Sequence, residues 1–173
     1  VLDYLRYRQK RNKIEISNLF SLLESNLKKN INLFIEKKIS LKFIGENRNL
    51  PIKIKNIIKK FSDKSKLQKY KLLINIAFNY SSKKEIIRSC KEIIRKKLAL
   101  NQKNISKHLY TSPIDDPEIL IRTGGHTRLS DFLLWQCSYS EIFFVNKMWP
   151  DFKSKDLDTI IRKFKKLKRN FGS

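Results

Sequence analysis

The 173-residue chain is 40% hydrophobic and 11% aromatic, which is enough apolar material for the core of one domain over residues 1–173 and excludes a disordered chain. No apolar run reaches the roughly 18 residues of a membrane-spanning helix, and no signal-peptide pattern opens the chain, so a cytoplasmic protein is expected. The net charge of +23 raises two hypotheses, compositional drift or a basic surface that attracts nucleic acid or an anionic lipid surface.

Apolar residues alternate between helical and strand spacing along the first half of the chain. Recurrence every three to four positions indicates helices, and short apolar runs between them indicate strands. In chain order, the predicted elements are a helix with an apolar face from Ile16 to Ile35, a strand at Leu41–Ile44, a helix from Pro51 to about Phe61, a loop at Ser62–Gln68 and a strand at Tyr70–Phe78.

The second half continues the alternation. Ser82-Lys83-Lys84-Glu85 is a capping-box pattern, which predicts the start of a helix. The core face of that helix is predicted to comprise Ile86, Ile87, Cys90, Ile93, Ile94 and Leu98, and it is followed by strands at Ile119–Ile121 and Ile142–Val145 and a last helix capped by Ser154. This order predicts an α/β fold with a mostly parallel central sheet and helices on both faces, where ligands bind at the carboxyl ends of strands.

An arginine- and glycine-rich segment, Arg122 to Ser130, follows the strand at Ile119–Ile121. Arginine grips phosphate oxygens with a planar fork, and glycine lets backbone N–H groups approach an anion. Ser130 stands where a helix could begin, and a helix N-terminus favours an anion. The segment therefore predicts a diphosphate pocket, and the alternative is a surface turn with two solvated arginines.

The same segment resembles the C-terminal signature of the cis-prenyltransferases, the undecaprenyl diphosphate synthase family. That signature is close to R-T-G-G-E-x-R-x-S-x-F-L-L-W-Q-x-x-Y-x-E-x-x-F followed by W-P-D-F, and here it spans Arg122–Phe144 and Trp149–Phe152. Leu41–Gly45, Asn75–Tyr80 and Arg169–Gly172 resemble three further family segments. The resemblance covers most of the chain.

The resemblance implies a cis-prenyltransferase fold and an enzyme that condenses isopentenyl diphosphate onto an allylic diphosphate such as farnesyl diphosphate, with Z double bonds. Arg122, Arg128 and Ser130 would bind isopentenyl diphosphate, and Glu141 would bind Mg²⁺. The undecaprenyl-type product would serve as a carrier in bacterial cell-wall peptidoglycan synthesis. A homodimer is expected, with peripheral membrane contact as a further option. The possible site-lining residues are Asn79, Tyr80 and His126.

The chain departs from the family pattern in ways that bear on activity. The opening D-G-N-G-R-W loop, with its metal-binding Asp, does not occur in the chain, so the N-terminal strand and loop of the fold are expected to be missing and no catalytic residue is assigned. His126 replaces a family Glu, Ser81-Ser82-Lys83 replaces Gly-Gly-Arg, and Tyr4–Gln9 does not match F-S-x-E-N-W. We therefore expect the chain alone to be weakly active or inactive.

Two alternatives to the enzyme remain open. One is an inactive remnant or non-catalytic subunit of a prenyltransferase, although such subunits generally lose the Trp135-Gln136…Glu141 portion that this chain keeps. The other is an RNA-binding basic protein, for which Arg6–Arg11 is the best segment because its aromatics could stack on bases. Since Lys is spread over every segment beside abundant Ile and Asn, compositional drift is the favoured origin of the charge, and no specific nucleic-acid partner is predicted.

Overall fold

Two pairs of parallel strands organise the structure, a computed structural model that describes residues 13–46, 52–65 and 69–169. These residues form two compact units that meet in sequence between Thr111 and Ser112. No helix within the described ranges is both long enough and apolar enough to cross a membrane. The segments Tyr4–Gln9 and Arg6–Arg11, and Pro51, lie outside the described residues.

The first unit alternates helices with one pair of strands. Its described elements are α1 (Lys13–Glu36), β1 (Ile39–Ile44), α2 (Ile52–Ser65), β2 (Leu72–Ala77), α3 (Ser82–Arg95) and α4 (Gln102–His108). β1 and β2 run parallel, with Ile39 opposite Leu72 and Ile44 opposite Ala77. The predicted α/β class with parallel strands is confirmed.

The core of this unit is built from α1, β1 and α2. Helical spacing puts Leu27 and Ile31 one turn apart on α1, and both are buried against α2, as the apolar face predicted. Ile35, predicted on the same face, is 41% exposed. The side chains of Ile16, Leu19 and Phe20 lie outside the described residues. The buried cluster comprises Leu27, Ile31, Leu41, Ile54, Ile57, Ile58, Phe61 and Phe78.

Two local predictions in this unit were wrong, and one helix was missed. The predicted loop at Ser62–Gln68 is helical as far as Ser65, because α2 continues beyond Phe61. The N-cap of α3 is Ser81 rather than Ser82, since the Ser81 hydroxyl accepts the Lys84 N–H at 3.3 Å. The short helix α4 was not predicted, although Asn101 caps it by accepting the Asn104 N–H at 2.9 Å.

The predicted core face of α3 also needs correction. Ile87 and Ile94 are 55% and 65% exposed, and Leu98 lies beyond the helix and is 44% exposed. Only Ile93 of the predicted set is fully buried. The buried residues of α3 are Ser82, Glu85, Ser89 and Ile93. This helix therefore turns a largely polar face inward, and its buried polar groups need partners.

The second unit has one parallel strand pair and one described α-helix. Its described elements are β3 (Ile119–Thr123), β4 (Glu141–Val145), a short 3₁₀ turn (Trp149–Asp151) and α5 (Ser154–Phe164). Ile119 lies opposite Glu141 and Thr123 opposite Val145. The predicted cap at Ser154 was wrong: Lys153 is the N-cap residue, and its backbone N–H is bonded by Asp156 at 2.9 Å.

Candidate functional site

The glycine pair lies at the carboxyl end of β3. Gly124 and Gly125 have φ values of +91° and +71°, which favour glycine. Their N–H groups donate to the carbonyls of Lys147 at 2.8 Å and Val145 at 3.1 Å. Both donors are therefore used by carbonyls at the end of β4 and just beyond it, and are not offered to an anion. The glycines act by turning the chain sharply after Thr123.

Arg122 is held in the predicted pocket by side-chain hydrogen bonds. Its Nη1 donates to the Ser130 hydroxyl at 3.0 Å and to the backbone carbonyl of Arg128. Its Nε is buried, and no acceptor among the described residues lies within hydrogen-bond reach of it. A buried donor without an acceptor is costly, so this nitrogen is a candidate ligand-binding atom. The structure thus brings Arg122 and Ser130 together, as their spacing predicted.

Ser130 does not begin a helix, contrary to the prediction. Residues 130–139 form successive turns, and Ser130, Asp131 and Leu133 have φ values of +50°, +63° and +45°. Residues other than glycine rarely adopt positive φ values, and such values cluster at sites whose surroundings impose the local conformation. The anion-binding contribution expected from a helix N-terminus at Ser130 is therefore absent from this described segment.

Arg128 and His126 lie on the exposed side of the loop. The Arg128 carbonyl accepts a hydrogen bond from Arg122, which fixes the Arg128 backbone. The Arg128 side chain is exposed, so its guanidinium is accessible to a ligand. Such an arrangement combines one held arginine and one accessible arginine, which is suited to gripping an anion that arrives from solvent.

Glu141 opens β4 and is tied to Arg169. Its backbone N–H donates to the Glu118 carbonyl at 2.9 Å, and its carboxylate lies 3.7 Å from Arg169 Nε. Arg169 binds more closely elsewhere, to the Glu118 carboxylate at 3.0 Å and the Tyr139 carbonyl at 2.9 Å. The Glu141 side chain is 37% exposed, so its oxygens retain room for another cation.

In the first unit, Asn79 closes the carboxyl ends of β1 and β2. It has a φ of +49°, its side-chain amide donates to the Glu46 carbonyl at 2.7 Å, and its carbonyl accepts the Glu46 N–H at 3.2 Å. Gly45 beside it has a φ of +125°, and a Cβ there would lie 2.0 Å from the Phe78 carbonyl oxygen. Only glycine fits this close approach of two strand ends.

Tyr80 leads into a buried polar cluster that the sequence did not reveal. Its hydroxyl donates to Glu85, whose carboxylate also accepts the Tyr110 N–H at 2.5 Å. Glu85 is 1% exposed and Tyr80 is 3% exposed. Arg88 lies over the Tyr110 ring at 4.1 Å and donates to the His108 carbonyl. The sequence analysis assigned Glu85 to the capping box at the start of the helix. Glu85, Ser89 and Ile93 follow one another at four-residue intervals, and this shared buried face was therefore not predicted.

Burial perturbs two groups around this cluster. It lowers the pKa of Lys42, an effect that the Glu85 carboxylate opposes. Burial likewise raises the pKa of Tyr110, and the nearby Arg88 charge opposes that rise. Tyr110 therefore stays protonated to higher pH than a free tyrosine, which keeps its hydroxyl neutral beside Arg88.

Comparison with known families establishes what the arginine loop is part of. Residues 8–172 match the family model described as "Putative undecaprenyl diphosphate synthase". The chain belongs to this family. The matched range includes the arginine loop, Glu141 and the Asn79–Tyr80 strand end, so the family resemblance predicted from those motifs is confirmed.

Relatives of this undecaprenyl diphosphate synthase family member are similar over most of its length. An isoprenyl transferase of Chlamydia trachomatis is 37% identical over 169 residues, covering 94% of this chain and 66% of the relative. The ditrans,polycis-undecaprenyl-diphosphate synthase ((2E,6E)-farnesyl-diphosphate specific) of Buchnera aphidicola is 38% identical, with coverage of 98% and 70%. The crystal structure of a probable undecaprenyl diphosphate synthase from Campylobacter jejuni has a TM-score of 0.85 at 36% identity, with coverage of 95% and 78%. The chain spans about two thirds of the length of such curated relatives.

Within this family member, the strand register separates two predicted groups. Arg122 on β3 lies opposite Phe144 on β4. Phe144 is three positions from Glu141, which places these two β4 residues about 10 Å apart along the strand at roughly 3.3 Å per residue. Among the described residues, no three His, Cys, Asp or Glu side chains form a metal site. Magnesium does not require such a cage, because it binds through one or two carboxylates together with substrate phosphates. The exposed carboxylate of Glu141 fits that mode.

Proposed function

We propose that this chain carries the isopentenyl-diphosphate-binding part of a cis-prenyltransferase. The reaction would join isopentenyl diphosphate to an allylic diphosphate with formation of a Z double bond. The observation that carries the proposal is the Arg122 guanidinium, which is bound to Ser130 at 3.0 Å with its Nε buried and without an acceptor in the described part of the chain. Family membership supports the same conclusion.

The loop residues would divide the work of holding the diphosphate. Arg122, fixed by Ser130 and the Arg128 carbonyl, would supply pre-oriented donors with little loss of side-chain entropy on binding. Arg128, exposed on the same loop, would close on the outer phosphate oxygens. Ser130 would add a hydroxyl donor. Holding the substrate in one orientation makes the condensation effectively unimolecular.

Glu141 would bind Mg²⁺ in the complete site. The ion, when bound, neutralises charge that develops on the departing diphosphate. The contribution of this chain is a carboxylate at the start of β4. Its backbone is fixed by Glu118, and the ion pair that its side chain makes within the described residues is a loose one, 3.7 Å from Arg169. His126, exposed beside the arginines, would add a further donor to the diphosphate but supplies no acidic group.

We further propose farnesyl diphosphate as the allylic substrate and an undecaprenyl-type product for cell-wall peptidoglycan synthesis in the cytoplasm. The name of the Buchnera relative supports the substrate. A homodimer is proposed because the second unit exposes a run of large apolar residues. These are Tyr139, Ile142, Phe144, Met148 and Trp149, all at least 38% exposed.

Binding of isopentenyl diphosphate to the chain itself tests the pocket. Calorimetric titration should show Arg122→Ala and Arg128→Ala weakening binding by about ten- to hundredfold each, because a charged hydrogen bond contributes about 1.5–3 kcal/mol. Arg→Lys at either position should restore only part of the affinity, since lysine keeps the charge without the fork. Arg162→Ala, an exposed arginine on α5, is the matched control and should bind like the parent.

Turnover is tested in a version joined to a family-type D-G-N-G-R-W front. Arg122→Ala and Arg128→Ala should lower kcat/KM for isopentenyl diphosphate, His126→Glu should raise activity, and Glu141→Ala should impair the Mg²⁺-dependent rate. The chain without that front should form little product from farnesyl diphosphate, isopentenyl diphosphate and Mg²⁺. Parental binding and parental kcat/KM in both Arg→Ala variants would show that the loop serves structure instead.

A further inference from the structure

One edge of the first unit combines positive charge with exposed apolar side chains. The amino ends of β1 and β2 lie together there, joined by the Lys71 N–H bond to the Lys38 carbonyl at 2.8 Å. We call this surface the amino-edge patch. It comprises Lys37, Lys38, Lys69, Tyr70, Lys71 and Leu72, all exposed.

The charge of the amino-edge patch is locally uncompensated. Four of its six residues are lysines, and no ion pair joins any of the four to another residue in the described ranges. Glu36 is the acidic residue adjoining them in sequence, at the end of α1. Because like charges clustered on a surface repel one another, their arrangement favours an anionic surface as partner.

The apolar residues distinguish the kind of anion. Tyr70 is 48% and Leu72 51% exposed, and Leu33 and Ile35 on the last turns of α1 are 42% and 41% exposed. Lysines interspersed with exposed apolar residues, a tyrosine among them, match the interface of a bilayer. A nucleic-acid site would favour arginine and stacked aromatic rings, and the patch contains no arginine and one aromatic residue.

We propose that the amino-edge patch docks this protein on an anionic lipid surface. The inference goes beyond the proposed function and depends only on this patch. Its position also has a consequence: the patch lies at the amino ends of β1 and β2, whereas Asn79 and Tyr80 follow their carboxyl ends. A docked first unit would therefore present the edge of its sheet that carries Asn79 and Tyr80, the predicted site-lining residues, away from the lipid.

Vesicle sedimentation of the whole chain tests the docking. The test variant is Lys37→Gln with Lys69→Gln and Lys71→Gln; Lys38 is kept because its carbonyl holds β2 and its φ is +54°. The matched control removes three exposed lysines of the same unit, by replacing Lys91, Lys103 and Lys107 with Gln. Both triple variants reduce the net charge of +23 equally, so any difference between them reports the patch.

Phosphatidylcholine vesicles with phosphatidylglycerol should bind the parent, and pure phosphatidylcholine vesicles should not. Each lysine at an anionic surface contributes about fivefold in affinity, equivalent to about 1 kcal/mol, so the patch triple should bind about a hundredfold more weakly. The control triple should bind close to the parent. Tyr70→Ser should weaken binding severalfold without changing its salt dependence, because it removes interfacial contact and no charge.

Three results would overturn the proposal. Equal losses in the two triples would mean that diffuse charge holds the vesicles. A patch triple that loses RNA binding but retains vesicle binding would identify a nucleic-acid surface. Altered self-association of the patch triple without lipid, measured by analytical ultracentrifugation, would identify a contact between copies. None of these measurements involves prenyl transfer, so failure here is separable from failure of the proposed function.

Discussion

Replacing Glu85 should test whether the buried polar cluster stabilises the first unit. The Glu85 carboxylate is 1% exposed and accepts from the Tyr80 hydroxyl and the Tyr110 N–H. It therefore joins the start of α3 to the segment that follows α4. Glu85→Ala removes this acceptor from the buried Tyr80 hydroxyl and the part-buried Tyr110 N–H, and Glu85→Gln presents an amide group to one of them.

The expected losses follow from those bonds. Each orphaned buried donor costs about 1–3 kcal/mol and the vacated volume adds to this, so Glu85→Ala should lower the free energy of unfolding by about 3–6 kcal/mol. Glu85→Gln replaces one charge-assisted bond and should cost about 1.5–3 kcal/mol. At roughly 2–4 °C per kcal/mol for a chain of this size, Glu85→Ala should lower the Tm by at least about 6 °C.

Thermal unfolding followed by circular dichroism at 222 nm measures both variants. Glu92→Ala is the control, because Glu92 lies on the same helix but pairs with Arg95 at the surface. Tyr80→Phe in the Glu85→Gln background should cost less than Tyr80→Phe alone, since the mismatched donor is then gone. The reasoning would be refuted if Glu85→Ala lowered the Tm no more than Glu92→Ala does.

Three further predictions concern single positions. Gly45→Ala should lower the free energy of unfolding in urea by more than about 3 kcal/mol, because its Cβ would lie 2.0 Å from a backbone oxygen at a φ of +125°; a loss below 1 kcal/mol would contradict this. Arg169→Ala should cost about 2 kcal/mol in thermal unfolding, and Arg169→Lys should recover less than half of it because the fork is lost. Cys90 should be alkylated by iodoacetamide before Cys137, which is 6% exposed and has its thiol pKa raised by burial; equal rates by mass spectrometry would count against that burial.

Periodicity predicted the fold well wherever apolar side chains decide burial. The buried positions Leu27 and Ile31 of α1 and the approximate positions of the four strands follow from the spacing of apolar residues, whereas Ile35 of the predicted face is exposed. The inward face of α3 could not be found this way, because Glu85 is buried through partners five and 25 positions away. A polar side chain can be buried when a residue far away in the sequence forms a hydrogen bond with it, and hydrophobic spacing does not reveal such a position.

The candidate site was partly predictable for a similar reason. Two arginines and a serine within nine positions were expected to meet, and Arg122 does bind Ser130. The N–H groups of the glycines were expected to face an anion, but the carbonyls of Val145 at the end of β4 and of Lys147 just beyond it accept them. That use depends on a strand some 20 residues further along the chain, which local motif chemistry does not include. The link from Arg169 to Glu141 is likewise made between residues 28 positions apart.

The division of the chain at Thr111 and Ser112 also determines which spectroscopic signal reports on which part. Both tryptophans, Trp135 and Trp149, belong to the second unit. Tryptophan fluorescence will therefore follow the unfolding of the arginine loop and its strands, whereas far-ultraviolet dichroism is dominated by the helices of the first unit. Trp149, 74% exposed and stacked on Phe152, provides an emission signal accessible to aqueous quenchers. Denaturation curves recorded by the two signals in one cuvette will coincide if the units unfold together and separate if they do not.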